Sequence, residues 1–308
     1  MNACLAYWPW KASRWIHGYK LFYDNADKRH PMKVLNIKNP FNAPVFHEGT
    51  VSSTSDVSRN LAAEGKPHGT VFTADFQEAG RGRSKRPWAA EPGKNLLFTV
   101  LLRYGDSSAI PKALTLRTGL AVSLAIGDLV PSLFNQVRVK WPNDIMIGDR
   151  KVAGILTEWD GKTAYIGIGV NVSQSNFLDE YKTKAGSIIQ AFPDLDENAR
   201  FVLLEDILSR LYNEIETPGS DASREARSWW EIRREHRREV WRERWRERLN
   251  EQLYKQSENV AFLPGAADSG VVVKGMLSGI GPEGELLIIP EGEGKERAFV
   301  SGELRVYL

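Results

Sequence analysis

The hydrophobic positions of the chain follow two different spacings, which alternate along its central part. Leu116, Leu120 and Leu124 lie four residues apart, which predicts a helix with one buried face. Apolar residues keep helical spacing over residues 201–215 as well. In contrast, NLLFTVLLR (95–103) is an almost continuous apolar run, which is typical of a strand covered on both faces.

Three further segments extend this alternation of helices and strands. SSTSDVSRNLAAEG (52–65) begins with hydroxyl side chains that suit a helix N-terminus and ends at a glycine, so it predicts a helix. GTVFTADF (69–76) predicts a strand, and residues 137–172 predict a strand, a proline-containing turn, a hairpin and a glycine-rich strand. Because helices and strands interleave, we predict an α/β (α+β) fold with a mixed sheet flanked by helices.

The two ends of the chain differ from this central pattern. Residues 1–44 begin with an aperiodic, aromatic-rich stretch, and we predict a poorly ordered extension there. The stretch 1–31 is too short and irregular for a helix-turn-helix domain. Residues 45–258 are predicted to form the main domain. Residues 259–308 alternate apolar and polar positions between turns such as GPEGE, which predicts a small C-terminal β-barrel.

A highly charged helix is predicted over residues 224–253, inside the main domain. Its Glu residues recur every four positions, and a row of Arg residues follows three positions behind, so the two rows offset each other's repulsion. Trp241 and Trp245 belong to its apolar edge. One interpretation is a solvated helix packed by this edge, and the other is a surface for RNA or an acidic partner.

Composition and charge narrow the classes of function. The chain has 308 residues and a net charge of +2, so its overall charge gives no reason to expect a polyanion as partner. The single cysteine, Cys4, excludes an internal disulfide, and the five histidines lack zinc-binding spacing. No uninterrupted apolar run reaches the ~18–20 residues of a membrane-spanning helix, and no signal peptide is recognisable. We therefore expect a cytoplasmic protein without a membrane partner.

Four short segments carry candidate chemistry. They are SSTSD (52–56), QEAGRGRSKRPW (77–88), KWPND with the following RKVAG (140–154), and GIGVN (167–171). Each has a simple alternative, because a Gly/Arg loop can be a solvated turn, WPND a rigid β-turn and GIG a closely packed strand. The Gly/Arg loop also concentrates cations where glycines let backbone amides approach an anion.

Together the four segments resemble the biotin protein ligases, or biotin–[acetyl-CoA-carboxylase] ligases, whose hallmark motifs they match in order. The resemblance covers roughly residues 45–306 and includes the C-terminal GIGPEGELLI and SGEL. It implies the fold shared by biotin ligases and class II aminoacyl-tRNA synthetases, with an SH3-like β-barrel at the C-terminus. It also implies an enzyme that uses ATP and Mg²⁺ to convert biotin into biotinyl-5′-AMP. The implied acceptor is a lysine of the biotin carboxyl carrier domain of a carboxylase.

The resemblance also assigns roles to individual side chains. Lys151 and Arg83 are implied to be catalytic, since two anions must be brought together and their developing charge stabilised. The implied biotin contacts are Ser53, Thr54, Ser55, Gln77, Gly80, Arg81, Gly82, Arg83, Lys151, Gly154 and Gly167. The implied ATP contacts are Arg83, Trp88, Asn95, Lys140, Asn143, Asp144, Lys151 and Asn171. Asp144 is the implied Mg²⁺ ligand, because Mg²⁺ bound to phosphates needs few protein carboxylates.

The sequence departs from the family pattern at two places and leaves two other classes open. Ser55 stands where Asn is common, and SKR (84–86) stands where the loop often has a glycine before its last Arg. A lipoate ligase is the nearest alternative, but the RRxSGGG-like segment of that class is missing. A non-catalytic nucleic-acid-binding protein is the second, and the matched Arg and Glu rows argue against it. We expect a ligase without an N-terminal DNA-binding domain, and the sequence leaves open whether it forms a homodimer.

Overall fold

The chain forms two β-sheets with helices packed against the larger one. The structure is a computed structural model that describes residues 13–16, 19–23, 32–181, 184–196, 199–216, 244–265 and 271–305. Residues 1–12 and most of the charged helix predicted over 224–253 lie outside the described residues.

The larger sheet has ten strands in the described part of the chain. They are β1 (Ser13–Ile16), β2 (Tyr19–Tyr23), β3 (Lys33–Leu35), β4 (Val45–Val51), β5 (Thr70–Gln77), β6 (Asn95–Arg103), β7 (Val137–Lys140), β8 (Asp144–Ile147), β9 (Arg150–Trp159) and β10 (Thr163–Asn171). Their spatial order is β1-β2-β3-β4-β5-β6-β10-β9-β8-β7. Only β4 and β5 pair in parallel, and all other neighbours are antiparallel. The predicted mixed sheet is therefore confirmed.

Helices cover both faces of this sheet. The described α-helices are α1 (Thr54–Ala63), α2 (Leu114–Leu129), α3 (Ile188–Ala191), α4 (Ala199–Ile215) and α5 (Trp245–Glu251). Helices α2 and α4 share one apolar core with Val71, whereas Leu61 of α1 and Phe72 belong to a separate core cluster. Successive residues of a strand point to opposite faces, so Val71 and Phe72 connect β5 to both cores. Every residue of β6 from Asn95 to Leu102 is buried, as its apolar run predicts.

The smaller sheet consists of five antiparallel strands near the C-terminus. They are β11 (Asn259–Pro264), β12 (Val273–Ile280), β13 (Leu286–Pro290), β14 (Arg297–Phe299) and β15 (Gly302–Arg305). Their order is β14-β13-β12-β11-β15, with no pairing between β14 and β15 among the described residues. The short strands agree with the prediction, but closure into an SH3-like barrel is not confirmed. The indole N–H of Trp141 donates to the backbone oxygen of Gly284 at 3.0 Å and joins the two sheets.

One segment near the N-terminus differs from the expectation. Residues 32–44 were predicted to belong to a poorly ordered extension, yet β3 pairs with β4 and Ile37 lies in the main core. The amide of Asn39 also donates to the backbone oxygen of Gly69 at 2.9 Å. A strand of three residues is too short to leave a clear periodic signal, which explains the difference.

One apolar helical segment is as long as a membrane-spanning helix. Among the described residues, Ser107–Leu129 is a helical segment long and apolar enough to cross a membrane by length and composition alone. Most of its helix α2 is buried against α4 and the sheet. The segment is therefore accounted for as a core helix of the folded domain.

Candidate active site

A cavity of about 1300 Å³ collects all four motif segments. Strand β15 of the smaller sheet forms part of its wall. The predicted site residues that line the cavity are Ser53, Thr54, Ser55, Gln77, Arg81, Gly82, Arg83, Trp88, Lys140, Asn143, Asp144, Lys151, Gly154, Gly167 and Asn171. Two predicted residues, Gly80 and Asn95, are not among its lining residues. Asn95 is buried and donates to Gln174, which does line the cavity.

Hydroxyl groups form one end of the cavity, where β4 leads into α1. Both the backbone N–H and the hydroxyl of Thr54 donate to Gln77 Oε1, at 2.8 and 3.0 Å. The hydroxyl of Thr99 donates to Thr54 Oγ1 at 2.9 Å and lies 3.3 Å from Ser55 Oγ. Ser53 stands at the N-terminus of α1, but its side chain makes no capping hydrogen bond. The end of the cavity is therefore an organised set of uncharged polar groups, suited to an uncharged polar ligand.

The Gly/Arg loop is a small hairpin at the mouth of the cavity. The backbone N–H of Trp88 donates to Gly80 at 2.8 Å, and the N–H of Gly82 donates to Arg86 at 2.8 Å. A Cβ atom at Gly80 would lie 2.9 Å from the backbone oxygen of Trp88. A side chain at position 80 would therefore obstruct the close approach of the two arms of the hairpin.

Two arginines of the loop form hydrogen bonds with side chains of other elements. Arg81 forms a two-pronged ion pair with Asp56, with N–O distances of 2.8 and 2.5 Å. Hydrogen bonding to Arg81 lowers the pKa of Asp56 despite the opposing effect of burial. Arg83 donates to Asn143 Oδ1 at a longer distance of 3.3 Å. The weaker of the two interactions leaves the Arg83 guanidinium more readily available to a ligand.

A third arginine connects the loop to the smaller sheet. Arg86 donates to Glu303 on β15 at 3.1 Å. Burial raises the pKa of Glu303, but the hydrogen bond and charge of Arg86 outweigh it, so the net pKa is lowered. The loop is thus held from both sides, by α1 and by β15.

The tip of the loop contains the departure noted at SKR. Ser84 and Lys85 have φ angles of 53° and 59°, in the left-handed region that glycine adopts most easily. A non-glycine residue in this region costs roughly 1–2 kcal/mol. The chain therefore keeps a backbone shape that suits glycine while placing two other residues there.

Lys151 and Asp144 form the charged centre of the cavity. Lys151 Nζ lies 2.6 Å from Asp144 Oδ1. The backbone of Lys151 is fixed by hydrogen bonds to Lys184 and Gly186, at 2.8 and 2.9 Å. Burial lowers the pKa of nearby Lys140, and the positive charges of Lys151 and Lys184 act in the same direction. Such a concentration of cations favours binding of a polyanionic group.

Two asparagines fix the walls next to this centre. Asn143 follows a cis Trp141–Pro142 peptide bond and donates to Ile155 at 2.8 Å. Asn171 donates to Gly186 at 2.9 Å, while its Oδ1 atom is buried without a hydrogen-bond partner. A buried unsatisfied oxygen in a cavity wall is a natural acceptor for a ligand donor.

The Trp88 ring packs closely against a floor made of two glycines. Gly154 on β9 and Gly169 on β10 are direct neighbours in the sheet. A Cβ atom would approach the Trp88 ring to 2.9 Å at Gly154 and to 2.6 Å at Gly169. Lys151 Nζ lies 5.5 Å from the centre of the same ring, within range of a cation–π interaction. The glycines are therefore required by the close approach of the indole.

Comparisons with known proteins bear on the fold and on the motif segments. The structure resembles biotin protein ligase from Aquifex aeolicus in complex with biotin and ATP, with a TM-score of 0.63 and 24% identity over 85% of this chain and 97% of that one. At this identity the likeness establishes the fold alone. Residues 49–173 match the model of the biotin/lipoate A/B protein ligase family. The resemblance inferred from the four motifs is thereby confirmed.

Curated relatives match about half of the sequence. The bifunctional ligase/repressor BirA of Bacillus spizizenii is 36% identical over 154 residues, which is 48% of this chain and 46% of the relative. The biotin–[acetyl-CoA-carboxylase] ligase of Mycobacterium tuberculosis is 32% identical over 160 residues, or 51% of this chain and 59% of the relative. The chain thus matches about half the length of these relatives.

Several residues of the site were not singled out from the sequence. Thr99 interrupts an apolar strand and could have been noticed as a polar residue in a buried run. Gly169 is the second glycine of the GIGVN motif, of which only Gly167 was selected. The partners Asp56 and Glu303 lie within quoted motifs, but their ion pairs depend on the fold. Gln174 has no local signal.

Proposed function

We propose that the protein is an ATP-dependent biotin–[biotin carboxyl carrier protein] ligase. It would first join biotin and ATP into biotinyl-5′-AMP with release of pyrophosphate. It would then transfer the biotinyl group to the amine of a carrier-domain lysine with release of AMP. The observation that carries the proposal is the single cavity that joins an uncharged hydroxyl-lined end to a cluster of cations centred on Lys151.

In the first step a carboxylate oxygen attacks the α-phosphorus of ATP. Both reactants are anions, so cations must offset their repulsion and stabilise the charge that develops. We assign this role to Lys151, placed beside Asp144 in the cavity, and to Arg83, whose long contact with Asn143 is easily exchanged for a ligand. Arg81 and the glycines of the loop would help to exclude water, which protects the mixed anhydride from hydrolysis.

The ureido head of biotin is uncharged and polar, and it matches the hydroxyl-lined end. We assign this contact to Ser53, Thr54, Ser55 and Gln77. The network around Thr99 holds the polar groups of Thr54, Ser55 and Gln77 in position. The backbone at Gly154 and Gly167 would form the adjacent wall. Gly80 and Gly82 would contribute through the shape of the loop.

The nucleotide is assigned to the other end of the cavity. Trp88, Asn143 and Asn171 would contact the nucleoside, and Lys140 would face the phosphates. Asn95 does not line the cavity and would act indirectly, because it hydrogen bonds to Gln174, which does. Asp144 fits a role as Mg²⁺ ligand, because its carboxylate faces the cavity and Mg²⁺ bound to a nucleotide usually takes only one or two carboxylates. When bound there, Mg²⁺ would neutralise phosphate charge.

The partner and the setting of the reaction follow from the proposed chemistry. The acceptor would be the biotin carboxyl carrier domain of a carboxylase, in the cytoplasm. We propose that the catalytic domain comprises residues 45–258, with the charged helix 224–253 inside it and with β3 and Ile37 packed onto it, and that residues 259–308 form a smaller C-terminal domain.

A labelling experiment tests the proposal. The protein would be mixed with ATP, Mg²⁺, biotin and a biotin carboxyl carrier domain, and biotin attached to the carrier would be measured by mass spectrometry. A parallel reaction would contain lipoate with a lipoyl carrier domain, since the family includes both kinds of ligase. Labelling with biotin alone is expected. Labelling with lipoate alone, or no labelling in either reaction, would reject the proposed substrate.

A further inference from the structure

The segment that follows Trp88 is attached to the main sheet through one buried side chain. Gln174 is 3% exposed and lies shortly after the end of β10. Its Oε1 atom accepts hydrogen bonds from the backbone N–H of Glu91 at 3.1 Å and from Asn95 Nδ2 at 2.5 Å. Its amide donates to the backbone oxygen of Asn176 at 2.8 Å. Both the oxygen and the nitrogen of the Gln174 side-chain amide are therefore hydrogen bonded.

These bonds hold Trp88 between two fixed points. On one side its backbone N–H donates to Gly80 at 2.8 Å, and on the other side Glu91 is anchored to Gln174 three residues later. The ring in between lies on the glycine floor described above, where small displacements would produce clashes or gaps. A second bond, from Asn176 Nδ2 to the Glu91 carboxylate at 3.0 Å, is exposed and contributes less.

We propose that Gln174 is a positioning residue that holds Trp88 on the floor formed by Gly154 and Gly169. The inference depends on the proposed function only for its consequence in catalysis, since Trp88 lines the cavity assigned to the nucleotide. Removal of the Gln174 acceptor frees the segment 89–91. The indole then leaves its floor more often, and the nucleotide loses a fixed wall of its site.

The position of Trp88 can be measured without any substrate. Chymotrypsin cleaves after exposed tryptophans, so the rate of cleavage at the Trp88–Ala89 bond under native conditions reports how often the ring leaves the floor. We expect Gln174→Leu to raise this rate about tenfold or more, because the variant removes the bond to Glu91 together with the bonds to Asn95 and Asn176, and one buried hydrogen bond alone contributes about this factor. Gln174→Glu keeps the acceptor oxygen but loses the donor to Asn176, so it is expected to restore part of the protection. Ser173→Ala, which removes a bond to Lys94 from the same turn, is the matched control and should leave the rate unchanged.

A second pair of variants tests the same bond from its other partner. Glu91→Pro removes the backbone N–H that Gln174 accepts, whereas Glu91→Ala keeps it and removes only the carboxylate. Faster cleavage in Glu91→Pro than in Glu91→Ala is expected even if Gln174→Leu does not fold. Equal cleavage in this pair, or equal cleavage in Gln174→Leu, Ser173→Ala and the unchanged protein, would overturn the proposal.

Kinetics then separate this inference from the proposed function. In the labelling reaction, Gln174→Leu is expected to raise KM for ATP several-fold more than it lowers kcat. A protein that shows the cleavage pattern but labels no carrier would refute the function and leave the positioning role intact. Labelling with an unchanged KM for ATP would refute the link between Trp88 and the nucleotide.

Discussion

The buried ion pair between α4 and α5 provides the sharpest prediction about stability. Arg248 donates to both carboxylate oxygens of Glu214, at 2.6 and 2.8 Å, and the exposed fractions of the two side chains are 11% and 2%. Arg117 Nε is 4.0 Å from the same carboxylate and can compensate only in part. Arg248→Met would leave the Glu214 charge buried with a distant partner, so we expect the free energy of unfolding to fall by about 3–5 kcal/mol.

Equilibrium unfolding in urea, followed by circular dichroism, measures this loss. Arg246→Met is the matched control, because Arg246 lies on the same helix and is exposed, and a change within about 0.5 kcal/mol is expected. The double variant Arg248→Met/Glu214→Leu should recover most of the stability, since apolar replacement of a buried pair is often neutral. A loss below about 1 kcal/mol in Arg248→Met would refute the reasoning.

Three further predictions concern the loop and the edge of the domain. Arg83→Ala is expected to form biotinyl-5′-AMP more slowly and to release a larger share of it into solution, because Arg83 lines the cavity and its charge would hold the intermediate; chromatography of the filtrate measures this share, and a share equal to that of the unchanged protein would contradict a role of Arg83 in retaining the intermediate. Ser84→Val should lower the free energy of unfolding by about 1–2 kcal/mol while Ser84→Gly does not, because φ at this position is 53°; equal melting temperatures would argue against the left-handed turn. Burial lowers the pKa of His68, but the 2.9 Å hydrogen bond to Glu216, the charge of Glu216 and the hydrogen bond with the Arg103 backbone together outweigh burial, so the net pKa is raised. The pair therefore stabilises the fold fully below about pH 6.5, and this effect is lost as pH rises through the folded-state pKa. Glu216→Gln should flatten that dependence between about pH 6 and 8, and an unchanged slope would exclude the pair as its source.

Local patterns were sufficient for the central elements of the fold. The apolar run of β6 and the four-residue spacing in α2 predict the observed strand and helix, because burial on both faces or on one face fixes the spacing directly. The order of the strands could not be read in this way. It places β10 between β6 and β9, which depends on packing between distant segments.

The same distinction applies to the site. Motif residues such as Lys151 and Arg81 were predicted to share one site, and they line one cavity. Their protein partners were not predicted, because Arg86 and Glu303 are 217 positions apart and meet only in the folded chain. In the charged helix, Arg248 carries the buried contact although it does not belong to the regular Arg row. A periodic pattern cannot show which of many arginines faces a buried carboxylate.

The central claim is that Lys151 serves the joining of biotin to ATP, and pyrophosphate release tests it most directly. The unchanged protein should release pyrophosphate only when ATP and biotin are both present. Lys151→Ala should reduce that rate by about 100-fold or more with little change in melting temperature, because its charge is needed between two anions. Lys162→Ala, a change at an exposed lysine in the hairpin between β9 and β10, should leave the rate unchanged. Biotin-dependent release at a near-normal rate in Lys151→Ala would contradict the account.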